Sequence, residues 1–142
     1  MTTEFDSYEL SPDEQFANAY YHFIEALKIL AEDADVQCDL MGNYNTAWEI
    51  KHDVSAGLLL LNLPNRLAEQ ERDAIAAIVT ALDQIPATVL EGDTTTAGSL
   101  RAMNHSCWVP LRAHAAELLN LLSSATSRNE AYFRKINPGA DV

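Results

Sequence analysis

The sequence predicts an all-α protein: an antiparallel four- to five-helix bundle whose last long helix is kinked or broken at Pro110. Three observations support this fold class. Apolar residues recur every three or four positions along most of the chain, which is the spacing of one helix face. No stretch of useful length alternates apolar and polar residues as a strand does. The predicted helices, roughly 16 to 25 residues long, are joined by shortish connections, as in antiparallel bundles.

Composition indicates one domain that spans residues 1–142. A 142-residue chain with 48% apolar residues can bury a core without disulfides or metals. We expect residues 1–10 to form a flexible arm and residues 137–142 a flexible tail. The longest apolar run is too short to cross a bilayer, and the N-terminus lacks the apolar segment of a secretory signal. We therefore expect a cytoplasmic protein that does not bind membranes.

The first helix begins at a recognisable start signal. Ser11 can cap the helix, Pro12 suits its first position, and Asp13 and Glu14 add negative charge at the positive end of the helix dipole. The apolar stripe that follows consists of Phe16, Ala19, Tyr20, Phe23, Leu27, Leu30, Ala31 and Ala34. This pattern predicts a helix through the low thirties, followed by a loop over residues 33–45 with a short turn near 37–41.

Two further helices are predicted, over about 44–63 and 65–84. The second half of the former, LLLLNL, is apolar nearly all round and predicts burial on several sides. Gly57 within it suggests a close helix crossing. Residues 87–98 hold a Gly-Asp pair and three threonines, which favour an irregular loop.

The last helical region runs from about 96–99 to 124, with an extension toward Ile136. It contains the chemically densest segment of the chain, RAMNHSCWVPLRAH. On an unbroken helix, Cys107 falls on the apolar row, away from His105, so a Cys–His nucleophile pair is disfavoured. A second row holds Arg101, His105, Trp108 and Arg112, and it is a candidate contact for an anion or a partner protein. The alternative is that these long side chains cover the helix flank and pair with acids elsewhere.

The histidines allow a second candidate site. His52, His105 and His114 would resemble the three-histidine metal site of DinB-like four-helix bundles. In that family two ligands come as His-x-x-x-His on one turn, whereas His105 and His114 lie on opposite sides of a straight helix. Only a bend at Pro110 brings them together. Histidines satisfied by ordinary hydrogen bonds are the alternative.

Charge and motifs favour a binding protein over an enzyme. The net charge of −12 is concentrated in residues 1–39 and disfavours nucleic-acid binding. Phosphate loops, serine elbows and zinc-protease motifs are absent from the sequence, and we expect no cofactor. We therefore expect an interaction module that binds another protein or itself, comparable in size and charge to immunity and inhibitor proteins. The alternative is a metal- or anion-binding bundle enzyme with its site at residues 101–114.

Overall fold

The computed structural model describes residues 10–42, 44–63, 66–91 and 94–136. These residues form helices and no strand, which confirms the all-α fold class. The helices are α1 (Pro12–Leu30), α2 (Ala34–Met41), α3 (Thr46–Ser55), α4 (Leu58–Asn62), α5 (Glu69–Leu82), α6 (Ala87–Leu90), α7 (Thr96–Met103), α8 (Trp108–Leu121) and α9 (Ser123–Ile136). The predicted arm, apart from Leu10, and the predicted tail lie outside the described residues.

Helix α1 begins where the sequence predicts. The Ser11 hydroxyl accepts a hydrogen bond from the Glu14 backbone N–H, and the Glu14 carboxylate accepts one from the Ser11 N–H. This reciprocal capping box, with Pro12 at the first helical position, satisfies backbone donors that a helix start leaves free. The helix then buries one face at the centre of the molecule, with Tyr20, Phe23 and Leu27 almost wholly enclosed.

The loop predicted over residues 33–45 is mostly a helix, so that prediction is wrong. The Asp33 side chain caps α2 by accepting a hydrogen bond from the Val36 N–H. Gly42 ends the helix with φ of 84°, a left-handed conformation that favours glycine. A capping signal at each end defines this short helix, and packing of Cys38 and Gln37 against the core stabilises it.

The predicted helix over 44–63 is divided into α3 and α4 by a tight turn at Ala56 and Gly57. Gly57 is buried against α1, as the sequence suggests: a Cβ added there would lie 2.5 Å from Cε1 of Phe23. The expected all-round burial of LLLLNL is wrong. Leu60 is fully buried, but Leu58 is 50% exposed and Leu59 59% exposed, because the short α4 rests on its neighbours with one side only.

The remaining helices enclose a single core. Helix α1 packs against α3, α8 and α9, while α5 packs against α8 and α4. One turn of helix, α6, interrupts the predicted loop at 87–98. In the described part of the chain, no helix combines the length and apolar character that crossing a bilayer requires.

The long last helix is interrupted, but not at Pro110. Helix α7 ends at Met103 and α8 begins at Trp108, so the break occupies residues 104–107. Pro110 is the third residue of α8, within the first turn, where a backbone N–H has no intrahelical acceptor. Pro110 therefore lies within the first turn of α8, three positions after the break.

Candidate functional site

The chemically dense segment forms the joint between α7 and α8. Three side chains donate hydrogen bonds to the last carbonyls of α7: Asn104 to Leu100 O at 3.0 Å, Trp108 Nε1 to Ala102 O at 2.9 Å, and Arg112 Nη2 to Met103 O. Backbone N–H groups of the joint also reach two of these carbonyls, from Asn104 to Leu100 O and from His105 to Ala102 O, so the side chains complete the capping of this helix end. The polar residues of this segment therefore stabilise a helix break.

Arg112 extends the same hydrogen-bond network to α1. Its Nη2 and Nε lie 2.9 and 3.3 Å from Oε1 of Gln37, a residue with no exposed surface. The Gln37 amide nitrogen in turn donates to Ile29 O and Leu30 O at the end of α1. The guanidinium thus stands at the carbonyl end of α7 and, through Gln37, at that of α1, where the helix dipoles favour positive charge.

The four residues predicted to contact an anion or a partner therefore do not form one exposed surface. Trp108 is fully buried and its indole N–H is already bonded, so it offers no face for stacking on a ligand. Burial lowers the pKa of the Arg112 guanidinium, an effect that Asp33, Cys107 and Cys38 oppose. Arg101 and His105 are exposed, and the His105 ring accepts a hydrogen bond from the Cys107 N–H. The helix break separates the four side chains because it removes the continuous face that the sequence suggested.

The predicted three-histidine metal site is not assembled either. Among the described residues, which include all four histidines, no group of three or more His, Cys, Asp or Glu side chains is placed to hold a metal ion. His52 is exposed on α3, with its ring stacked on Trp48 and its Nδ1 3.3 Å from Asp53. His105 lies within the break, and His114 lies on α8.

Both cysteines are free thiols beside Arg112. Burial raises the pKa of the Cys38 thiol, against a smaller lowering by the Thr46 hydroxyl and Arg112. Burial likewise raises the pKa of Cys107, and Arg112 partly opposes it. A raised pKa leaves less of the nucleophilic thiolate at neutral pH, which agrees with the structural role expected for Cys107.

Exposed apolar and aromatic side chains gather along α3 and α4. We call this set the α3–α4 surface: Tyr44, Trp48, His52, Leu58 and Leu59. Trp48 is 50% exposed and stacks on His52 with ring centroids 4.9 Å apart, while Tyr44 is 63% exposed. Spacings of four and seven along the chain place Trp48, His52 and Leu59 on one side, since the backbone of Ala56 and Gly57 stays in the right-handed helical region. Tyr44 precedes α3, just before the Asn45 cap.

The charges near this surface are mainly negative. Asp35 and Asp39 are exposed on α2, which packs against α3, and Asp53 is exposed on α3 itself. Lys28 and Lys51 are the only Lys or Arg residues between 10 and 63, and both lie near carboxylates: Lys28 is 3.1 Å from Glu25 and Lys51 is 3.7 Å from Asp83. This part of the molecule therefore offers acidic groups to a partner and few uncompensated cations.

A cleft of about 720 Å³ lies between α1 and α9. Its lining combines aromatic, polar and charged side chains: Asn18, Tyr20, Tyr21, His22, Ile24, Glu25, Lys28, Thr126, Asn129, Glu130, Phe133 and Arg134. Side-chain hydrogen bonds there join α1 to α9 and to Leu122, the residue just before α9. Tyr20 Oη lies 2.8 Å from the Thr126 hydroxyl and donates to Leu122 O, and the Asn129 amide donates to Ala17 O at 3.0 Å.

Burial raises the pKa of Tyr20 to about 12, although the hydrogen bond with Thr126 works in the opposite direction. Glu71 and Glu130 add to the rise, because negative charge nearby disfavours a phenolate. Tyr20 is therefore a neutral hydrogen-bond donor in the wall of the cleft.

No family model, curated protein or solved structure matches this chain. The functional argument therefore depends on the geometry of its own residues.

Sequence reasoning missed both surfaces. The signal for Trp48 is an aromatic residue on the polar side of a predicted helix, outside the apolar stripe of Ala47, Ile50 and Val54. The cleft has no comparable signal, because its walls come from helices about 100 residues apart in the sequence.

Proposed function

We propose that this protein is an acidic interaction module that binds a basic segment of another protein through the α3–α4 surface. The exposed Trp48, which stacks on His52 and lies in the same part of the chain as the exposed Tyr44, Leu58 and Leu59, is the observation that carries the proposal. Tryptophan and tyrosine are the residues most often responsible for binding energy at protein interfaces.

The negative charge of the protein favours a basic partner over a second copy of the chain. A second copy would bring another chain of charge −12 against the acidic groups of α2 and α3, which is unfavourable. A basic segment instead gains from Asp35, Asp39 and Asp53, and its Arg or Lys side chains can stack on the Trp48 indole. An inhibitor or immunity protein that covers a basic site on its target is one form of this function. We also propose that the protein is located in the cytoplasm.

A peptide-display selection tests the proposal with a defined probe. Random peptides are selected on the wild-type protein and counter-selected on Trp48→Ser. We expect basic peptides with an apolar anchor, which bind Trp48→Ser at least about tenfold more weakly, since an interface tryptophan contributes about 2 kcal/mol or more. Their affinity should fall with added salt.

The matched control is Val109→Ser. Val109 is 63% exposed on α8, outside the α3–α4 surface, so its loss should leave the affinity unchanged. Failure to recover peptides, or equal binding to Trp48→Ser, would contradict the proposal. Sedimentation adds a further check: a wild-type dimer that Trp48→Ser dissociates would identify a second copy as the occupant and refute the basic partner.

A further inference from the structure

The cleft between α1 and α9 has the size and lining of a small-molecule site. Its volume of about 720 Å³ lies within the 300 to 1,000 Å³ that is usual for ligand pockets. Such pockets combine an apolar wall with a few converging polar groups. It lies on different helices from the α3–α4 surface, so it is argued independently of the proposed function.

The apolar wall is aromatic. Tyr21 and Phe133 meet edge to face with ring centroids 6.3 Å apart, one contributed by each helix, and Ile24 lies beside them. Tyr20 and Asn129, both at least nine-tenths buried, add polar groups to the lining, together with the Thr126 hydroxyl. A ligand with a flat apolar body and polar ends fits this arrangement.

The charged residues of the cleft are of both signs. Lys28 and Glu25 pair with each other at 3.1 Å. Glu130 and Arg134 stand one turn apart on α9, in the order that favours an ion pair on a helix. Within the described part of the chain, however, neither of these two side chains makes an ion pair or a hydrogen bond.

A carboxylate and a guanidinium that line one cleft without pairing can each take an opposite charge from a ligand. A simple anion would be repelled by Glu25 and Glu130, and a simple cation by Lys28 and Arg134. A ligand that carries both charges satisfies both groups.

We propose that the cleft binds a small zwitterion with an aromatic body, the chemical class of an aromatic α-amino acid. The Arg134 guanidinium binds the ligand carboxylate, and the Glu130 carboxylate binds its ammonium group. The ring lies against Tyr21 and Phe133.

Calorimetric titration with L-phenylalanine tests this assignment. The comparison ligands are 3-phenylpropionate, which lacks the ammonium group, and phenethylamine, which lacks the carboxylate. We expect phenylalanine to bind about tenfold more tightly than either, because each loses one charge-assisted contact. Amide chemical-shift changes should fall on α1 and α9.

Two variants locate the contacts. Arg134→Gln should weaken phenylalanine binding about tenfold, so that phenylalanine binds no more tightly than phenethylamine. Glu130→Gln should also weaken phenylalanine binding about tenfold, so that phenylalanine binds no more tightly than 3-phenylpropionate. Lys135→Gln is the matched control, since Lys135 is exposed next to Arg134 but does not line the cleft. These positions are exposed, so the variants should fold, which circular dichroism can verify.

The assignment is refuted by no saturable binding, by unchanged binding in Arg134→Gln or Glu130→Gln, or by shift changes outside α1 and α9. Binding of 3-phenylpropionate as tight as that of phenylalanine also refutes it. Trp48→Ser should leave phenylalanine binding intact, so failure here and failure of the protein-binding function are separate results.

Discussion

Replacing Arg112 with Met tests whether the dense segment is a structural joint. Methionine keeps much of the apolar stem of the side chain but removes every hydrogen-bond donor. Two acceptors then lose partners: Oε1 of Gln37 and the carbonyl of Met103, both in residues without exposed surface.

The cost follows from these two acceptors. A buried acceptor left without a donor costs about 1 to 3 kcal/mol, and the desolvation of the guanidinium, which is no longer needed, offsets part of the sum. We expect Arg112→Met to lower the free energy of unfolding by about 2 to 5 kcal/mol. For a chain of this length, that corresponds to a fall in Tm of roughly 4 to 20 °C.

Urea unfolding followed by far-ultraviolet circular dichroism measures this change. The control is the same substitution at Arg134, which is exposed and should stay within about 0.5 kcal/mol of the wild type. Coupling is tested with Gln37→Met, alone and combined with Arg112→Met. The two losses should be non-additive by about 0.5 kcal/mol or more, since these residues share hydrogen bonds. If Arg112→Met is no more destabilising than Arg134→Met, Arg112 is not a structural residue and its role as an anion ligand returns to consideration.

Three further measurements test the packing and the titration of the core. Gly57→Ala should destabilise the protein by about 1 to 3 kcal/mol, because the new Cβ meets the Phe23 ring. This loss of stability should be smaller in a Phe23→Leu background, and equal losses in both backgrounds would exclude the ring as the cause. The free energy of unfolding should fall by up to about 3 kcal/mol as the pH rises from about 10 to 12, because the unfolded chain loses the Tyr20 proton while the folded chain, in which the Tyr20 pKa is about 12, keeps it. Urea titrations of Tyr20→Phe should lack that part of the decline. Trp108→Phe should cost about 2 to 4 kcal/mol in thermal melts and Trp48→Phe less than about 0.5, since one indole is buried and bonded and the other half exposed; similar costs would contradict this assignment.

Local structure could be predicted from the sequence wherever the residues that determine it lie within a few positions of one another. Ser11 with Glu14 predicted the start of α1, and the periodic apolar stripe predicted which face of that helix is buried. Asp33 and Gly42 carry similar capping signals for α2, but Gly42 is followed by an asparagine, and this Gly-Asn pair together with the weak periodicity favoured a loop. The reason is physical. A long apolar stripe shows in the sequence which face of its helix is buried, whereas a short helix is stable only when it packs against other elements.

The sequence by itself determined the helical class, the excess of negative charge and the close approach of a helix at Gly57. Each of these depends on composition or on spacing along one element. Only the tertiary structure decided which contacts Arg101, His105, Trp108 and Arg112 make. The acceptors for Trp108 and Arg112 are carbonyls at the end of α7 and a side-chain amide from α2. The same holds for the cleft of α1 and α9 and for the exposure of Trp48. Which side chains remain available for binding depends on which elements cover them, and that is a property of packing between segments distant in the chain.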